Sequence, residues 1–152
     1  MRKRLEVPIF MQGEKSPKKL LSDFSKDEKS CLFGTRTFFQ GVDVPGPALS
    51  KVILNRIPFP GPNEFLIKAW SQKADVETGN FGWREVELPL GVTRVVQAAG
   101  RLIRKKDDLG VVAVLDPRMT RADYAEQFSS ALPNIPVTDN IDDVEVFLHT
   151  NL

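Results

Sequence analysis

The chain predicts an open α/β domain with a mostly parallel sheet and helices on both faces, on three observations. Short apolar runs suited to buried strands alternate with stretches of helical period. One of those runs, Val111-Val-Ala-Val114 within Leu109 to Leu115, has the nearly unbroken β-branched composition of a central parallel strand. The length of 152 residues, 41% hydrophobic and 27% charged, suits one domain with an ordinary core.

Taken in order, Leu5 to Met11 predicts a first strand closed by Gln12-Gly13. Ser16 then stands at an N-cap before Pro17, whose fixed φ suits a first helical turn, and Leu20, Leu21 and Phe24 give that helix its apolar face. Ser30 to Gly34 is too short for a helix and is expected to be a buried strand holding Cys31, followed by a polar loop from Thr35 to Pro47. Lys51 to Ile57 makes the next strand, ended by the proline cluster Pro58 to Pro62. Asn63 is placed to cap a helix carrying Phe65, Leu66, Ala69 and Trp70. A loop from Gly79 to Trp83 leads to the strongest helix, Pro89 to Arg104. A turn at Lys106, Asp107 and Asp108 precedes the Leu109 to Leu115 strand, and a helix from Arg121 to Leu132 follows. From Pro133 the chain reads as irregular, so the domain is expected over 1–135 with a C-terminal tail over 136–152.

Composition excludes several chemistries. One cysteine excludes a disulfide framework and a cysteine-rich metal or iron–sulfur site, and with a single histidine neither a Cys–His nucleophile pair nor a histidine-rich zinc site is expected; no metal is expected in this chain. Cys31 is expected in a strand and His149 in the tail. The net charge of +1 gives no bulk attraction to nucleic acid, so any such case rests on a local patch. Neither a signal-peptide core nor an apolar window of about 18 residues occurs, which makes the cytoplasm the default expectation and excludes a membrane partner.

The chemistry concentrates in the long helix, at Gln97-Ala-Ala-Gly100-Arg101-Leu-Ile-Arg104. Spacings of three, four and seven put Gln97, Gly100, Arg101 and Arg104 on one face, leaving Val95, Ala98, Leu102 and Ile103 to pack on the sheet. Gly100 costs about 1 kcal/mol in a helix interior relative to alanine, which suggests a close approach by something. Two guanidinium forks beside that gap suit a polyphosphate, although helix physics alone leaves a solvated basic face with an incidental glycine equally open.

That segment resembles motif VI of superfamily 2 helicases, Gln-x-x-Gly-Arg-x-x-Arg, in the form typical of the DinG/XPD group. Phe33-Gly34-Thr35-Arg36-Thr37-Phe38-Phe39-Gln40-Gly41-Val42-Asp43-Val44-Pro45-Gly46 looks like motif V of the same group, and Ile57-Pro58-Phe59-Pro60 and Leu115-Asp116-Pro117-Arg118 are similar to two further shared stretches. The resemblance covers about Leu5 to Leu132 with the motifs in order, and implies the second, C-terminal RecA-like motor domain (P-loop NTPase-type), here without its first strand and helix. It implies that Arg101 and Arg104 reach the γ-phosphate of ATP, with Arg104 as the arginine finger. Gln97 and Gly100 would lie at the nucleotide, and Gly41 and Asp43 at the domain interface that couples ATP to DNA grip. Gly34, Thr35 and Thr37 match positions that touch single-stranded DNA phosphates without sequence preference. Gln40 departs from the glutamate usual at its position, which puts in doubt any salt bridge from there to the other domain.

Other residues have plainer alternatives. Phe81 and Trp83 could stack on bases or anchor a loop; Lys15, Lys18 and Lys19 could follow phosphates or form a solvated face; Asp116 and Arg118 are expected to support the motif VI helix. No Gly-x-x-x-x-Gly-Lys-Ser/Thr loop occurs, so ATP and Mg2+ are expected on a first motor domain in cis, and the chain alone is expected to be inactive. The resemblance further implies 5′→3′ movement on single-stranded DNA in repair or replication. A non-catalytic nucleic-acid or partner-binding module and the helicase part of a nuclease-linked protein are the rival expectations. An uncovered sheet edge would favour self-association of the chain.

Overall fold

Two pairs of short strands, both parallel, carry the domain. The structure is a computed structural model and describes residues 6–36, 38, 44, 48–79, 81–103 and 108–151. Strand β1 (Ile9–Met11) lies beside β2 (Cys31–Phe33), with Phe10 opposite Leu32; β3 (Lys51–Leu54) lies beside β4 (Val111–Val114), with Val52 opposite Val112. Among the described residues these are two ladders rather than one continuous sheet, but they close over a common core. Leu20 and Phe24 of helix α1 (Pro17–Phe24) meet Val52 of β3 there, with Phe10, Leu32 and Val112 packed against them. Pro17 opens α1 as expected, while Ser16 caps it with its backbone carbonyl only, accepting the Leu20 N–H at 2.9 Å.

The strands are shorter than the apolar runs because side chains divert their ends. The Ile57 N–H, which a longer β3 would give to the ladder, donates to Asp116 Oδ2 at 3.0 Å. Along β3 Val52 is buried and Ile53 is 65% exposed, so the opposite face of this ladder is open at Ile53. Arg36 and Phe38 have helical backbone where a loop was expected, and Phe38 is buried in the core.

Helix α2 (Phe65–Thr78) starts from Glu64, not from a cap at Asn63, and ends at Gly79 in the left-handed conformation, φ 78°. It carries Phe65, Leu66 and Trp70 as expected, and they are 77%, 62% and 53% exposed. The loop expected from Gly79 to Trp83 is already helical at Gly82, and a π-helical segment, Trp83–Glu87, then runs straight into α3 (Leu88–Leu102). The buried Glu87 of that segment takes the Lys68 ammonium of α2 at 2.6 Å. The expected Arg121 to Leu132 helix is two pieces, α4 (Arg118–Arg121) and α5 (Ala125–Ser130), broken at Ala122, which is extended. Residues after Pro133 are not all irregular: α6 spans Ile141–Asn151, with no buried residue, and it carries His149 one turn after Glu145.

A second core holds the far half together, with Ile57, Leu88, Val95 and Phe128 at its centre. Phe59, Trp83, Tyr124 and Phe128 cluster around it with ring centroids 5.1–6.5 Å apart, tilted or edge-on rather than stacked face to face. The π-helical turn can approach α2 closely only because position 82 has no side chain. A Cβ on Gly82 would sit 1.9 Å from the Ser71 carbonyl oxygen, a backbone atom that cannot swing aside. Gly82→Ala is therefore expected to lower stability by about 2 kcal/mol or more, read as a fall in urea midpoint; an unchanged midpoint would show that the two helices separate freely.

Candidate functional site

Helix α3 presents most of the motif VI face. Gln97 and Gly100 are exposed and Arg101 is half-buried, while Val95, Ala98, Ala99 and Leu102 turn inward. The helix stops at Leu102; Ile103 is extended (φ −105°, ψ 103°), its N–H donates to Ala99 O at 3.1 Å, and its side chain is 42% exposed rather than packed on the sheet. The expected extension to Arg104 is thus not seen, and Arg104 lies outside the described residues, as do Thr37, Gln40, Gly41 and Asp43.

The glycines of α3 serve different ends. A Cβ on Gly91 would lie 2.5 Å from the Phe59 ring, so that glycine is required by internal packing. A Cβ on Gly100 would meet nothing within 4 Å. Nothing in the described fold requires the absence of a side chain at Gly100, although the helix is weakened by it. Gly34 resembles Gly91: its Cβ would stand 2.7 Å from the buried Phe38 ring.

Two carboxylates fix α3 to the strand ends. Glu64 receives Arg36 Nη1 at 2.9 Å and the Gly61 N–H at 2.7 Å on Oε1, and Arg94 Nη2 at 2.6 Å on Oε2. Arg94 also donates to the Pro58 carbonyl at 2.9 Å. It sits one turn before Gln97 on α3, so this network joins the segment after β2, the proline-rich turn and the motif VI helix. Burial alone would raise the Glu64 carboxyl, but hydrogen bonds from Arg36, the Gly61 amide and Arg94 together lower it to about 2.

The second carboxylate is Asp116, buried just past β4. It accepts Arg118 Nη2 at 2.7 Å and Nε at 3.0 Å, the Arg118 N–H at 3.1 Å and the Ile57 N–H at 3.0 Å. The Arg118 hydrogen bonds, helped by the Ile57 amide, outweigh burial and hold this carboxyl well below the usual range. Arg118 in turn lies over the Phe59 ring at 5.2 Å, and that ring fills the space above Gly91. The pair thus reaches α3 through Phe59. The carboxyl ends of β3 and β4 also border a cleft of about 540 Å³ lined by Asn55, Arg56, Leu115, Asp116, Pro117 and Arg118.

At the ends of β1 and β2, the Thr35 N–H and Oγ1 both donate to Gln12 Oε1, at 2.7 and 3.0 Å. The lysine candidates are largely engaged nearby. Lys15 and Lys19 both reach Asp23, at 2.6 and 2.7 Å, and lower its carboxyl to about 2. Trp83 is an anchor within the aromatic cluster, whereas Phe81 is 53% exposed. Sequence reasoning missed Gln12, Arg36, Glu64 and Arg94. Arg94 had a signal, its three-residue spacing from Gln97; the pairing of Arg36 with Glu64 spans 28 residues and leaves no local trace.

Parallel strand pairs packed against a helix that carries Gln97, Gly100 and Arg101 fit a RecA-like helicase C-terminal domain. The chain belongs to the helicase C-terminal domain family, which matches residues 1–135. It is 43% identical over 148 residues to the ATP-dependent helicase DinG of Mycobacterium tuberculosis, covering 97% of this chain and 22% of that protein. It is 39% identical over 147 residues to the ATP-dependent DNA helicase YoaA of Haemophilus influenzae (97% and 23%), and 36% identical over 127 residues to the 3'-5' exonuclease DinG of Bacillus subtilis (84% and 14%). The chain spans about a fifth of the length of the two helicases.

Two outcomes follow. Glu64 has a depressed carboxyl, so its stabilisation is complete above the ordinary value of 4.5 and lost as pH falls from there toward about 2. Melting temperature should drop across that window, and Glu64→Gln should be less stable than wild type by about 2–3 kcal/mol at neutral pH with a shallower acid limb. A variant with the same melting curve at pH 7 and pH 3 as wild type would remove Glu64 from this role. Gly100→Ala should raise the unfolding free energy of the chain by up to about 1 kcal/mol, measured by urea titration; destabilisation would mean that internal packing does require the glycine.

Proposed function

We propose that this chain is the second motor domain of a DinG-like ATP-dependent DNA helicase, working on ATP and Mg2+ held by a first motor domain in cis. The observation that carries the proposal is Gly100: a helix-weakening residue, free of internal packing demands, between Gln97 and Arg101 on an outward face. A surface shaped this way suits close approach by another body. The relatives' names supply the class, since two of them are called ATP-dependent helicases.

In this proposal Arg101 and Arg104 place positive charge on the γ-phosphate, Gln97 and Gly100 lie against the nucleotide, and Gly41 and Asp43 relay the nucleotide state toward the DNA. ATP supplies the phosphoryl transfer that drives movement. Single-stranded DNA crosses the ends of β1 and β2 at Gly34, Thr35 and Thr37, with 5′→3′ polarity and a place in cytoplasmic repair or replication. Among the described residues no helix is long and apolar enough to cross a membrane. The nuclease-linked alternative rests on the name of the Bacillus relative; it puts the added chemistry outside this chain and leaves the role of α3 unchanged. The exposed Phe65, Leu66 and Trp70 lead us to include self-association of the chain, testable by light scattering at tens of micromolar.

In the complete protein, Arg104→Ala should leave ATP binding nearly intact and cut turnover at least about 100-fold, given that arginine fingers are worth roughly 10³–10⁵ in rate. Turnover within about threefold of wild type would withdraw Arg104 and move the role to Arg101. The 152-residue chain alone should release no phosphate above a buffer blank and should bind oligo-dT weakly, with affinity falling steeply as salt rises. Tight, salt-insensitive and sequence-selective binding would instead favour a non-catalytic binding module.

A further inference from the structure

We infer that Gln12 is the phosphate-contacting donor at the ends of β1 and β2, and that Thr35 acts by orienting it; this rests on the proposed DNA path. The argument is one of hydrogen counting. A backbone amide has one hydrogen and a hydroxyl has one. Both of Thr35's are directed at Gln12 Oε1, at 2.7 and 3.0 Å. While these two hydrogen bonds are held, Thr35 has no further hydrogen to offer a phosphate.

The same contacts settle which end of the carboxamide is which. An N–H can only donate, so the atom facing Thr35 must be the oxygen. Nε2, with its two hydrogens, is then on the far side of an exposed side chain, and no hydrogen bond to it exists among the described residues. The backbone holds the donor in register. The Gln12 N–H extends the β1–β2 ladder to Phe33 O at 2.9 Å, and Gly13 turns the chain away at φ 97°, a conformation other residues resist. The position is the carboxyl end of paired parallel strands, where open α/β sheets take their ligands. The nearby Glu14 carboxylate is turned back onto the Met11 N–H at 3.2 Å. A carboxamide donor is neutral and indifferent to base identity, which suits a contact that must be made and released along a strand.

Fluorescence anisotropy of the 152-residue chain with labelled oligo-dT at low salt tests this. Gln12→Glu keeps the oxygen that Thr35 needs and replaces the donor by a second acceptor; it should weaken binding about tenfold or more, with an unchanged melting temperature. The neutral Gln12→Ala should weaken it about three- to tenfold, and Thr35→Val by less than Gln12→Ala. Gln12 side-chain amide protons should shift in an NMR titration with the oligonucleotide. Equal affinity of wild type and Gln12→Glu overturns the inference while leaving the DNA path standing. So does tighter binding by Gln12→Ala, which would make Gln12 a competitor of the phosphate. A greater loss from Thr35→Val than from Gln12→Ala returns the contact to Thr35. No binding by the wild-type chain at low salt overturns the DNA path and this inference together.

Discussion

The arrangement of the domain depends on one carboxylate that is shared. Glu64 gathers a guanidinium from the segment after β2, a backbone amide from the proline-rich turn and a second guanidinium from the motif VI helix. Each donor alone would be an ordinary, partly exposed contact worth little. Together they make a junction at which removing the acceptor leaves two positive charges facing each other across a half-buried space. Nearly all of Arg94 is withdrawn from solvent, 13% of its side chain remaining exposed, so it has little recourse to water. The junction therefore sets the rotation of α3 about its own axis, and with it the direction in which Gln97 and Arg101 point.

Packing works toward the same end from the other side of the helix. Phe59 lies flush on Gly91 because there is no Cβ to keep it away, and Arg118, held by Asp116, covers the ring. An aromatic wedge and an ionic tie thus bear on the same stretch of α3, one specifying distance and the other azimuth. The contrast with Gly100 follows. Two glycines separated by little more than two turns carry opposite meanings, one a receptor for an internal ring and the other facing open space.

Much of this was legible in the sequence, and the gaps have physical reasons. The strand positions, α1 and α3 were evident because apolar periodicity is written over consecutive residues, and Gln97, Gly100 and Arg101 came from helical spacing. Strand ends were overestimated because the Ile57 amide is claimed by Asp116, 59 residues on. The Asn63 cap failed for a similar reason: Glu64, next along, is the residue whose carboxylate is committed to the turn and to two arginines. The exposure of Phe65, Leu66 and Trp70 was not legible, because periodicity says which residues share a side and not whether anything covers it. Helix α6 was passed over although Ile141, Val144, Phe147 and Leu148 stand at helical spacing, because no Ser-Pro pair like that of α1 marks its start. Its start is set instead by the Asn140 side chain, which accepts the Asp142 N–H at 3.0 Å, a capping signal hidden in a polar run.

The pairing of β3 with β4 also sets an order of events during synthesis. Lys51 lies opposite Val111, so about 60 residues, including all of α2 and α3, leave the ribosome between one partner and the other. At 5–20 residues per second that is roughly 3–12 s in which β3 has no ladder to join. The first core can begin to gather around Leu20, Phe24 and the β1–β2 pair during that interval, but Val52 and Ile53 wait at its border with their amides unmatched. The nascent chain therefore presents the apolar β3 early and pairs it late. This window, rather than the stability of the finished fold, is where the domain is most exposed to neighbouring chains.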